Sequence, residues 1–124
     1  MPQVAPRLTG EYTRQAAICR ALSHPARLAI LDVLRGGEQC VCHVEAALGL
    51  RQAYISQQLM VLREAGLVSD RRDGWNIFYR LSDSRSSRLI AILNAQAGTG
   101  IPHSHAARQP QSCPCPKCNS QGKQ

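Results

Sequence analysis

At Gly66 the spacing of apolar residues changes from that of a helix to that of a strand. Upstream, "QAYISQQLMVLREAG" puts Ile55, Leu59 and Leu62 on one helical face and closes at Gly66. Downstream, "LVSDRRDGWNIFYRL" carries Asp73-Gly74, a two-residue hairpin signal, then Trp75, Ile77, Tyr79 and Leu81 alternating with Asn76, Phe78 and Arg80. A helix that runs straight into a hairpin fixes the neighbourhood. The preceding segment, about Val41 to Leu48 and ended by Gly49, reads as a shorter helix, so the pair has the outline of a helix-turn-helix and the hairpin is its wing.

The rest of the chain fits round that unit. "YTRQAAICRAL" repeats apolar residues at Tyr12, Ala16, Cys19 and Leu22, a helical face on which Cys19 reads as a small buried hydrophobe. In "SHPARLAILDVLRGG", Ser23 or His24 caps a helix, Pro25 takes its first position, and Gly36-Gly37 stops it, with Leu28, Leu31 and Leu34 facing a core. "SSRLIAILNAQ" gives a terminal helix to about Ala97 whose Leu89, Ile90, Ile92 and Leu93 exceed what a short helix buries alone, which points to a second copy of the chain. Residues 1–10 read as a flexible leader. Residues 98–124, rich in Gly, Pro, Ser and Gln, read as a disordered Cys-rich tail. The expected fold is therefore mostly α with a β-hairpin wing, a winged helix-turn-helix over residues 11–97.

With the stripe of the fourth helix turned inward, Ala53, Tyr54 and Gln57 point outward, flanked by Ser56 and Gln58. Amide side chains read adenine edges and hydroxyls suit phosphate oxygens. Arg71 and Arg72 fall near the hairpin tip, within reach of the flanking backbone or minor groove. Charge agrees with a polyanionic partner. Lys+Arg 15 against Asp+Glu 8 gives a net charge of +7, and most of the cations are arginine, which forks onto phosphate and guanine. No Ser/His/Asp set, paired carboxylates or phosphate loop stands at a spacing an enzyme would need. No apolar run suits a signal peptide or a membrane span, so a cytoplasmic location is expected, where cysteines serve as thiols, metal ligands or redox centres rather than permanent disulfides.

The six cysteines are grouped: Cys19 alone, Cys40 with Cys42, and Cys113, Cys115 and Cys118 in the tail. Residues i and i+2 of a regular helix point about 200° apart, so Cys40 and Cys42 converge only if the helix has not begun at Cys40 or its first turn distorts. The unpaired N–H groups of a helix start favour thiolates, and a thiolate pair selects soft ions. Trivalent arsenic takes three sulfurs. The tail spacing C-x-C-x₂-C could supply the third to Cys40 and Cys42, in the same subunit or the other, or hold an ion unaided; His103 and His105 could add nitrogen ligands.

Residues 24–81, through "HPARLAIL", "ISQQLMVLREAGLV" and "FYRL", resemble the ArsR/SmtB family of winged-helix metal-sensing repressors. The resemblance implies a homodimer joined through its terminal helices, which binds an imperfect palindrome of double-stranded operator DNA and leaves it when an inducer binds. It also implies no constitutive cofactor. Cys40-Val41-Cys42 matches the family's thiolate branch, whose inducers are arsenite and antimonite, or cadmium and lead. Glu45 stands where arsenite-type members often carry a third cysteine, and His43 where an Asp is usual. For the family's other site, on the terminal helix, Asp83 is kept but Arg85, Gln96 and Thr99 stand at ligand places, which argues against a zinc-type site there. Two rivals share these residues: a repressor that answers to persulfide or other thiol oxidation, and a metal-buffering protein whose tail does the work.

Overall fold

The computed structural model describes residues 6–98, with side chains described from Gly10 onward. The tail residues Cys113, Cys115, Cys118, His103 and His105 lie outside the described residues. Among the described residues five helices and three strands follow one another as α1 (Pro6–Leu22), α2 (Pro25–Leu34), β1 (Gln39–Cys40), α3 (Val41–Leu48), α4 (Gln52–Glu64), β2 (Val68–Asp73), β3 (Asn76–Leu81) and α5 (Ser84–Ala97). The strands form one antiparallel sheet in the order β1-β3-β2. This is a winged helix-turn-helix.

Local chemistry sets most of the boundaries. His24 caps α2 from an extended backbone, its Nδ1 accepting the Ala26 N–H at 3.2 Å, and Pro25 occupies the first turn, where its missing N–H costs nothing. α3 ends at Gly49, whose φ of 68° is left-handed, so the chain turns within Leu50 and Arg51 and re-enters a helix at Gln52. Ile30, Leu31, Val33, Leu34, Val44, Ile55, Leu59 and Leu62 interlock behind that turn and fix the angle between α3 and α4. A side chain of this kind, fully buried, contributes about 1.5–3 kcal/mol.

Four expectations change. α1 starts at Pro6, inside the stretch read as a leader. Its inward residues are Ile18, Ala21 and Leu22, and Cys19 is exposed, because a face chosen by spacing alone can be rotated by one residue when the partner surface is unknown. The hairpin loop is Gly74-Trp75, closed by the Asp73–Asn76 pair, since Gly74 alone has a positive φ (63°), as a loop with glycine in its first position requires. Finally, Phe78 is the buried side chain of β3, while Trp75 is fully exposed at the tip.

Candidate nucleic-acid interface and sulfur pair

α4 presents Ala53 and Gln57 to solvent and leaves Tyr54 and Ser56 half-buried, on the side away from Ile55, Leu59 and Leu62. Tyr54 is held from behind. Because His24 Nδ1 already accepts from a backbone N–H, the neutral ring carries its proton on Nε2, which faces Tyr54 Oη at 3.4 Å. Gln58 departs from expectation. Only 9 % exposed, it accepts a hydrogen bond from Arg27 Nε at 2.8 Å, so its amide oxygen is engaged inside the protein. The same Arg27 donates to the carbonyls of Arg20 and Ala21, tying α1 and α2 to the recognition helix. Spacing gave no sign of this tie. Arg51 and Gln52 are also exposed at the start of α4, and the N-terminal end of a recognition helix is the part that meets base edges and phosphates.

The wing arginines have different surroundings. Arg71 pairs in register with Phe78, three residues before the loop, and donates through Nε (3.2 Å) and Nη2 (2.6 Å) to the two carboxylate oxygens of Glu38. Those bonds hold the guanidinium above its ordinary pKa, and its carbon lies 4.7 Å over the Phe78 ring. Arg71 is thus a clamp across the sheet, not a free cation at a tip. Arg72, opposite Ile77, is exposed and shows no ion pair among the described residues.

Cys40 is the last residue of β1 and the cap of α3, with φ −79° and ψ 162°, so the helix has not begun there. The extended backbone removes the i, i+2 conflict. Cys40 and Cys42 Sγ atoms are bonded to one another, with Cα atoms 5.4 Å apart, in place of the two thiols expected. Cys40 is 4 % exposed and Cys42 half-buried, and with Phe78 they make a small cluster separate from the main core. Opened, such a pair offers two sulfurs to a soft ion. Among the described residues no group of three His, Cys, Asp or Glu side chains could complete an all-protein site, so a third donor has to come from elsewhere. Asp83 serves another purpose: it caps α5, accepting from Arg85 N–H at 2.7 Å.

Residues 24–70 match the family model described as "Bacterial regulatory protein, arsR family". A curated relative, the biofilm growth-associated repressor of Agrobacterium fabrum, is 46% identical over 90 residues, which span 73% of this chain and 77% of that protein. The chain belongs to the arsR family. As an arsR-family chain it is a transcriptional regulator, not an enzyme. Two solved structures agree with the architecture. The transcriptional repressor BigR from Xylella fastidiosa superposes with a TM-score of 0.65 at 35% identity, covering 76% of this chain and 96% of that one. The homodimeric winged helix-turn-helix DNA-binding domain of a possible ArsR-family regulator from Mycobacterium bovis gives 0.70 at 32% identity, covering 79% and 91%. Among the described residues no helix is long and apolar enough to cross a membrane.

Proposed function

We propose that this chain is a repressor that binds double-stranded operator DNA as a homodimer and is released by chemistry at Cys40 and Cys42. α4 enters the major groove with Ala53, Tyr54, Ser56 and Gln57, while Arg51 and Arg72 meet phosphates; Gln58, already engaged inside the protein, leaves the contact set, and so does Arg71 for as long as Glu38 holds it. α1 and α5 form the dimer contact, where Tyr12, Ile92 and Leu93 are exposed on the single chain. The observation that carries the sensing role is the meeting of the two sulfurs at the β1–α3 junction, on the cap and first turn of the helix that opens the helix-turn-helix.

The bonded pair favours thiol oxidation as the signal. Two thiols lose two protons and two electrons to a peroxide or polysulfide and become the disulfide. A second reading rests on the same convergence: the open pair captures arsenite or antimonite, or cadmium or lead, with the third sulfur from Cys113, Cys115 or Cys118. The test is binding of the reduced full-length protein to its promoter DNA, followed during addition of hydrogen peroxide and, separately, of arsenite. The parent should bind when reduced and dissociate with at least one of the two. Mass spectrometry separates the signals, since oxidation removes two hydrogens and ligation adds arsenic. Cys40→Ser with Cys42→Ser should bind and stay bound. A double variant that dissociates as readily as the parent defeats the sensing role, and absence of salt-dependent, sequence-selective binding defeats the repressor reading in favour of metal buffering.

A further inference from the structure

The sulfur pair touches the wing as well as the helix-turn-helix. Cys40 pairs with Phe78 across β1 and β3 and forms a buried cluster with it, against which Cys42 packs. On the next strand Arg71 pairs with Phe78, stacks over its ring, and is gripped by both carboxylate oxygens of Glu38, two residues before Cys40. Sulfur, ring, guanidinium and carboxylate therefore form a closed circuit that begins and ends on the segment leading into α3. The cluster is small and apart from the main core, so it can repack without the core moving.

We propose that the state of the Cys40–Cys42 pair is read out at the wing, through Phe78, by the Glu38–Arg71 clamp, which in the bonded state keeps Arg71 off the DNA backbone. This rests on the reading of the pair as the sensor. Bonded sulfurs lie about 2 Å apart. Two thiols need roughly 3.5 Å or more, so reduction pushes against the Phe78 ring that serves as the platform for Arg71. With the platform displaced, the two-point bond to Glu38 no longer fits. Arg71 then turns to a phosphate, the stronger anion for a forked donor. Oxidation reverses this. Each pair gives two protons and two electrons to hydrogen peroxide, whose O–O bond breaks to leave two waters, and the clamp closes again.

The experiment compares the reduced protein (dithiothreitol) with the protein oxidised by hydrogen peroxide, measuring affinity for promoter DNA against salt concentration. The parent, Glu38→Gln and Phe78→Leu are compared, with Cys40→Ser/Cys42→Ser as the control. For the parent, oxidation should weaken binding about tenfold or more, within the usual range of allosteric coupling. Its salt slope should become shallower by about 0.9 for each arginine withdrawn. Glu38→Gln, a change at a half-buried position that keeps the shape of the side chain, should restore the slope of the oxidised form and bring its affinity to within about threefold of the reduced form. Phe78→Leu should shrink the ratio likewise. Trp75, the chain's one tryptophan and fully exposed at the wing tip, reports the movement directly. Its fluorescence should differ between the two states in the parent and not in Phe78→Leu. If Glu38→Gln keeps the parent's full ratio and slope change, the wing coupling is overturned while the sensor stands. If the parent shows no ratio, or the double-serine control shows the same one, the sensor reading falls and the coupling with it.

Discussion

Gln57 and Gln58 are neighbours with opposite fates, and the difference is decided 31 residues away in the chain. Gln58 borders the Leu59 stripe, and Arg27 draws it inward; Gln57, one position earlier, stays exposed. Gln57→Ala should therefore relax operator preference by about 1–3 kcal/mol at one base position. Its stability in urea should stay within about 0.5 kcal/mol of the parent's. Gln58→Ala should do the reverse. It leaves Arg27 Nε without its acceptor, which costs about 1–3 kcal/mol of stability, and operator preference should not change. Equal loss of sequence preference in both variants would return Gln58 to the groove. The inward stripe was legible because periodicity is local information; the partner of a residue at the stripe's margin was not, because it belongs to another helix. Arg71 repeats the lesson. Its sequence neighbours are Arg72 and Asp70, and nothing in them announces Glu38.

At the level of elements the sequence was most informative where backbone chemistry is special. The cap and proline of α2, the left-handed Gly49 and the extent of α3 all follow from residues that permit few conformations. The wing turn came out one residue off, because Asp-Gly and Gly-Trp are both admissible loops until strand pairing fixes the register. Gly74→Ala puts a Cβ on a backbone at φ 63° and should destabilise the wing by about 1–2 kcal/mol. Hydrogen exchange should then speed up in β2 and β3 and leave α2 unchanged. Strong acid should loosen the start of α5. The Arg85 side chain, then its backbone N–H, lowers the Asp83 pKa from 3.8 to about 2. A depressed carboxylate pKa adds stability that is present above the unfolded value, so the α5 cap contributes in full above about pH 4 and is lost as the pH falls toward 2. Asp83→Asn should flatten that part of the stability curve in acid denaturation. An unchanged acid limb would remove Asp83 as the group responsible.

Two recognition helices must stand roughly 34 Å apart to meet successive major grooves, so in the proposed repressor the dimer contact decides affinity as much as any groove residue. The sequence pointed to a second copy through the excess apolar surface of its last helix, but it could not say which of those residues the single chain consumes. Ile90 is spent in the core, with Leu89 half-buried beside it, while Ile92 stays 65 % exposed. α1 adds Tyr12, which faces solvent on the other terminal helix. Ile92→Glu should leave circular dichroism unchanged, because the side chain lies outside the core. It should yield a monomer in sedimentation velocity, since burying a carboxylate in an apolar contact costs several kcal/mol. Operator affinity should then fall by about 10²–10⁴, the avidity that a second linked half-site supplies. If Ile92→Glu sediments as the parent does, the dimer uses another face, and the distance between recognition helices has to be argued again from that face.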